Sequence, residues 1–194
     1  MTTAANPDEP MLTLAREPAH FEGILDLQRR NLRQSLSEDQ QAQDGFVYVE
    51  HDLPLLTRMA AQSPQAIALA DARVVGYSLS MRPSMAEWLP ALKPMFEQFE
   101  RMHWRGRRLG DFSYVVGGQV CVDPAWRGRG LIGALYTCIR DAAGPDVELC
   151  MTEIALRNTV SRRAHERIGF VEVGRYSDAH EDWSVVAWPW WDAR

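Results

Sequence analysis

A sheet covered by helices, of the α/β or α+β class, is the fold this sequence predicts. Three observations lead there. Strand-type and helix-type segments are intermixed from Met11 to Trp188 rather than segregated into blocks. The length, 194 residues, suits one domain with room for a sizeable core. A strongly apolar strand, Phe112 to Val122, runs through Pro124 into a glycine-rich turn that opens a helix.

Residues 1–10 hold two prolines and no periodic pattern, and read as a flexible tail ahead of a single domain, 11–194. A short strand spans Met11 to Arg16. Phe21, Ile24, Leu25, Leu32 and Leu36 then recur near helical spacing, predicting an amphipathic helix over about 20–36. A second helix carries Leu55, Leu56, Met59 and Ala60 and stops near Ser63-Pro64, because a residue before proline is pushed out of the helical region. Ala66 to Ala70 and Val74 to Met81 read as strands joined tightly at Asp71-Ala72-Arg73.

The stretch 83–110, rich in Met and Trp, reads as an insertion of one or two short helices with a loop; its Met and Trp side chains pack in the core, or the insertion shapes an acceptor pocket. After the apolar strand, Leu131, Leu135, Cys138 and Ala142 mark a helix ended by Gly144-Pro145. A strand over Val147 to Leu156, a helix over Thr159 to Ile168, and strands over Phe170 to Tyr176 and Trp183 to Trp188 complete about seven strands.

Composition narrows the function. With 21 basic and 26 acidic residues the net charge is −5, which argues against a nucleic-acid partner or an anionic membrane surface. The start MTTAANPDEP lacks the basic and apolar regions of a signal peptide, and no run approaches ~18 apolar residues, so a cytoplasmic protein with no membrane partner is expected. Cys121, Cys138 and Cys150 have no metal-type spacing, so no metal is expected and the thiols read as small buried hydrophobes.

The sharpest signal is the segment from Val120 through Cys121, Val122, Arg127, Gly128, Arg129, Gly130, Leu131 and Ile132 to Gly133. A helix N-terminus leaves backbone N–H groups unpaired and carries partial positive charge. Glycines let a ligand approach that backbone, which makes the turn an anion site suited to a phosphate or diphosphate. No Gly-Lys-Ser/Thr follows, so it is not a Walker loop, and no acidic ribose partner supports a dinucleotide fingerprint.

Val122-x-Pro124-x-x-Arg127-Gly128-x-Gly130 followed by an apolar helix resembles motif A of the GNAT superfamily of acyl-CoA-dependent N-acetyltransferases. Asn158, opening a helix that ends in Ile168-Gly169-Phe170, is similar to its motif B. The resemblance implies a mixed, mostly antiparallel sheet of about seven strands flanked by helices. It also implies acetyl-CoA or another acyl-CoA as co-substrate, with its diphosphate on the turn 127–133 and its pantetheine arm between two splayed strands. Ile132 stands where the family has the last motif-A glycine, with Gly133 one place later. His165 stands where many members carry a tyrosine that protonates the departing CoA sulfur, which makes it the candidate acid.

At roughly 100° per residue, Asn158, Ser161 and His165 share one stripe of their helix, and Val160, Ala164 and Ile168 share the opposite one. The polar stripe is expected to face a ligand and the apolar one the sheet. Asn158 serves equally as an N-cap, and Ser161 as a phosphate or pantetheine contact or a surface residue. His165 is a proton donor, a packing partner or a surface histidine. Glu153 is a carboxylate in an apolar strand, costly there unless paired or functional; general base, acceptor contact and structural role stay open. Cys121 lacks any neighbouring base and is not expected to be a nucleophile.

The activity expected is direct acyl transfer to a primary amine, on a small molecule or a peptide. A non-catalytic acyl-CoA-binding or sensing module is the alternative, and a phosphate-binding domain unrelated to CoA a third. Trp190 and Trp191 fit a homodimer contact or the edge of the core.

Overall fold

The structure, a computed structural model, describes residues 9–191, so all but the end of the predicted tail lies outside it, as do residues 192–194. Seven strands form one sheet in the order β1-β2-β3-β6-β7-β9-β8. They are β1 (Met11–Leu14), β2 (Ala66–Ala70), β3 (Arg73–Met81), β6 (Tyr114–Val122), β7 (Leu149–Ala155), β8 (Val171–Ser177) and β9 (Asp182–Pro189). Every neighbouring pair is antiparallel except β6–β7. A separate two-stranded hairpin, β4 (His103–Trp104) with β5 (Arg107–Arg108), lies in the 83–110 stretch and carries no sequence signal of the alternating kind.

Helices cover both faces. On one, α1 (Pro18–Asn31), α3 (Leu53–Ala60) and α4 (Lys93–Arg101) bury Ile24, Leu27, Leu56, Met59 and Phe99 completely. Full burial of each such side chain stabilises by about 1.5–3 kcal/mol. On the other, α5 (Leu131–Ala143) lays Leu135, Tyr136 and Ile139 over the sheet, joined by Phe170, Trp188 and Trp190. Trp190 is wholly buried and belongs to this core, while Trp191 stacks half-exposed on Trp104 and Phe112. Among the described residues no helix is long and apolar enough to cross a membrane.

Two departures from the predicted elements bear on function. The first helix ends at Asn31, not near 36, because Leu32 turns extended and bridges to Val47. A further helix, α2 (Glu38–Asp44), then forms, with Ser37 and Gln40 in a reciprocal capping box. Gly45 ends α2 at φ 73, and residues 46–49 return across the mouth of the sheet.

Candidate functional site

Strands β6 and β7 pair only from Tyr114–Val116 to Leu149–Met151. Past that point β6 continues to Val122 and β7 to Ala155 without pairing, so the sheet opens into a fork. Thr152 Oγ1 donates to the Gly117 carbonyl at 2.7 Å and closes the vertex. On the far side of β6, Asp123 N donates to Val75 O of β3. Antiparallel alternation therefore turns the amides of Val120 and Val122 away from β3 and into the fork.

The chain leaves β6 through a short 3₁₀ turn at Pro124–Trp126 and enters α5 at Gly130. Gly128 and Gly130 adopt φ 76 and 75, and a Cβ on either would meet nothing within 4 Å. Gly130 caps α5 without a side-chain hydrogen bond, and the first helical bond there is Ala134 N to Gly130 O. Among the described residues the amides of Gly128, Gly130, Leu131, Ile132 and Gly133 donate to no backbone carbonyl. They face a cleft of about 710 Å³ that is lined also by Val120, Cys121, Val122, Asn158 and Ser161. Of the residues in the glycine pattern, Arg129 is absent from this lining. The bulk of Ile132 leaves its own amide available, and Gly133 lets α5 approach Ile168 of α6 (Thr159–Ile168).

The two motif arginines do different work. Arg127 lines the cleft, but its guanidinium is spent on the protein: Nη1 on Asp44, Nη2 on Asn31 and Nε on the Val122 carbonyl. It ties the turn to α1, α2 and β6. Replacing it with alanine is expected to cost about 1–3 kcal/mol of stability, measurable by urea unfolding, by leaving Asn31 Oδ1 and the Val122 carbonyl without this donor. Arg129 lies over the Trp126 ring at 4.7 Å, outside the residues that line the cleft. The cleft's other cation is Arg167, which the motif did not single out.

Helix α6 brings both predicted stripes to the site: Val160, Ala164 and Ile168, expected on the sheet, line the cleft together with Asn158 and Ser161. Asn158, Ser161 and His165 line the chamber beside it, although His165 is only 2% exposed. Its Nδ1 lies 2.8 Å from the Ser161 carbonyl, which can only accept, so Nδ1 carries the proton. Nε2 then accepts from the Tyr136 hydroxyl at 2.9 Å. Edge-to-face rings of Tyr136 and Phe170 complete the packing. Burial drives the imidazole pKa down to about 4, the Ser161 bond opposing it weakly. At neutral pH the ring is uncharged and its one proton is committed to a carbonyl. His165→Phe is expected to cost about 1–3 kcal/mol by stranding the Tyr136 hydroxyl. Turnover per folded molecule should change less than tenfold, as read by a thermal melt beside a thiol-release assay.

Asn158 caps α6 through Oδ1 to Ser161 N and gives Nδ2 to the Phe46 carbonyl. It thus joins α6 to the segment 46–49, which roofs the fork. Beneath that roof a second chamber of about 150 Å³ adjoins the cleft, sharing Phe46, Val47, Val120, Asn158 and Ser161 with it. Glu153 of β7 and Tyr176 of β8 face it, the phenol donating to Glu153 Oε2. Burial raises the Glu153 carboxyl to about 7, although the phenol pulls the other way. Gln119 of β6 lines the chamber and holds its roof, giving Nε2 to Val49 O while Tyr77 and Gln28 donate to its Oε1. Of the predicted insertion only Leu92, Pro94 and Met95 reach the chamber.

Sequence reasoning missed Gln119, Tyr136, Tyr176 and Asp178. Gln119 alone left a signal, as the one amide side chain in an apolar strand. Cys121 lines the cleft, but burial lifts its thiol to about 12, which removes it as a nucleophile. Among the described residues no group of three or more His, Cys, Asp or Glu is placed to hold a metal ion.

No family model matches the sequence, and no curated protein sequence matches it. Solved structures do match over nearly the whole chain. NAA60 of Arabidopsis thaliana, in complex with acetyl-CoA, superposes with a TM-score of 0.62 at 12% identity, covering 92% of this chain and 98% of its own. A GNAT-family acetyltransferase of Streptococcus pneumoniae gives 0.57 at 13% identity, covering 93% and 99%. A ribosomal-protein-alanine N-acetyltransferase of Brucella melitensis gives 0.57 at 17% identity, covering 91% and 98%.

Proposed function

On a chain with the GNAT N-acetyltransferase fold, we propose the transfer of an acetyl group from acetyl-CoA to a primary amine by direct attack in a ternary complex. One observation carries this reading: open amides at a helix N-terminus, on an uncluttered cleft, run directly into a chamber that holds a carboxyl titrating near neutrality. The amides of Gly128 and Gly130 to Gly133 suit a diphosphate. The free edge of β6 suits an amide-bearing arm, and the fork-facing amides of Val120 and Val122 suit a carbonyl oxygen that gains negative charge. Acetyl-CoA supplies the activated thioester.

Glu153 takes the proton that an ammonium must lose before it attacks. Holding acceptor and thioester side by side in one fork supplies much of the rate. A thiol of pKa near ~8.5 leaves without an obligatory acid, so the commitment of His165 to Ser161 and Tyr136 does not block the reaction. A cytoplasmic setting accords with three free cysteines.

Titration calorimetry with acetyl-CoA and thiol release across a panel of amines test the proposal. Absence of acetyl-CoA binding ends it. The buried, neutral His165 favours a second reading, an acyl-CoA-sensing module, which gives binding without thiol release for any amine.

A further inference from the structure

The charge of the chamber selects its acceptor. Phe46, Tyr48, Leu92, Met95 and Trp183 make its apolar walls, Glu153 and Asp178 bring two carboxylates, His180 adds an exposed imidazole, and among the described residues that line it there is no Lys or Arg. The arginines on adjoining segments, Arg33 over the Tyr48 ring and Arg157 over the Phe46 ring, spend their charge on Glu181. Arg157 and Arg33 both pair with Glu181, at 2.7 and 3.6 Å, and Arg157 also donates to Gln41.

Asp178 is built as an anion. Its Oδ1 accepts from the amides of His180 and Glu181, and its Oδ2 from the Trp183 indole. Burial pushes this carboxyl up, but the three donors, helped by the charge of His180, more than offset that and hold it below its ordinary value.

An amine arrives as a cation and finds complementary charge. A free α-amino acid brings a carboxylate on the carbon next to its nitrogen, so both groups must enter together. The second would meet the like charge of Asp178 and, once ionised, of Glu153, with no Lys or Arg and only the exposed His180 imidazole beside them to offset it. We infer that the acceptor is an amine with an apolar body and no carboxylate on the carbon that bears the nitrogen, and that free α-amino acids are rejected. The inference rests on the acetyl-transfer reading for taking the chamber's ligand to be an amine.

The test uses 2-phenylethylamine, L-phenylalaninamide and L-phenylalanine, which share a side chain and differ at that carbon. Each is assayed for thiol release with acetyl-CoA and titrated into CoA-saturated protein. The expected result is a preference of at least about tenfold in kcat/KM for the two uncharged-carbon amines over phenylalanine, with the same order in binding. Activity with phenylethylamine but not phenylalaninamide would assign the site to simple amines, and comparable use of both would extend it to amidated or peptide amines. Either supports the inference. Equal or better use of phenylalanine overturns it, as does failure of all three to bind. The same binding order without thiol release overturns acetyl transfer and leaves the charge selection standing. In Asp178→Asn the preference should shrink at least about threefold. An unchanged preference in that folded variant counts against the inference, and the wild-type panel decides alone if the variant does not fold.

Discussion

Gly130→Asp is expected to abolish acetyl-CoA binding, with at least a ~100-fold loss of affinity by titration calorimetry and the fold retained. A Cβ at this position points into open space, so the substitution creates no clash. The cost of φ 75 for a residue with a side chain is about 1–2 kcal/mol, and Asp is among the residues that bear it best. The new carboxylate would sit where the amides of 130–133 converge. At ~4 Å, two unit charges interact by about 1 kcal/mol in water and about 4 kcal/mol near a protein surface. A diphosphate carries more than one charge, so the ~2.7 kcal/mol that a 100-fold loss represents lies well within reach. Gly130→Asn keeps the shape without the charge and is expected to lose far less. Equal affinities for wild type and Gly130→Asp would show that no anion rests at this turn.

The second large effect is expected at Glu153. Glu153→Gln should lower kcat/KM by about 10²–10⁴-fold while acetyl-CoA binds as before. The pH profile separates a base from a structural carboxyl. A base works ionised, and this carboxyl titrates near 7, so wild-type kcat/KM should climb as pH rises through about 7 and level off above. The residual rate of Glu153→Gln should lack that step.

Stability should run the other way. A carboxyl raised from 4.5 in the unfolded chain to about 7 in the fold favours folding below 4.5, and that contribution fades as pH rises through 7. Glu153→Gln should therefore melt higher than wild type at pH 8. A wild-type profile flat across neutrality, with full activity in the variant, would remove Glu153 from the chemistry.

The sequence showed what is locally encoded. The tight turn at Asp71-Ala72, both at positive φ, marks the β2–β3 hairpin, and Asn158 and Gly169 cap α6 within a residue of the predicted bounds. The glycine turn was legible because its chemistry belongs to its own backbone.

What was not legible depends on partners far along the chain. The first helix stops at Asn31 because Leu32 meets Val47, and the roof at Phe46 is held by Asn158, 112 residues away. For a related reason the apolar stripe of α6, expected on the sheet, lines the cleft instead. Helical spacing gives the angle between His165 and Val160, but only Tyr136, 29 residues earlier, offers the hydroxyl that lets an imidazole be buried. Glu153 was visible as an anomaly. Its partners Tyr176 and Asp178 come from a strand and turn that the order β7-β9-β8 brings round to it.

Among the described residues, the three pairs that join β6 to β7 are the only ladder between the two halves of the sheet, β1-β2-β3-β6 and β7-β9-β8. An arm laid along the fork would add rungs to both sides at once, acting as a splint across a seam. Occupancy and cohesion would then be one equilibrium, because whatever fills the fork would also tie the two halves of the sheet together.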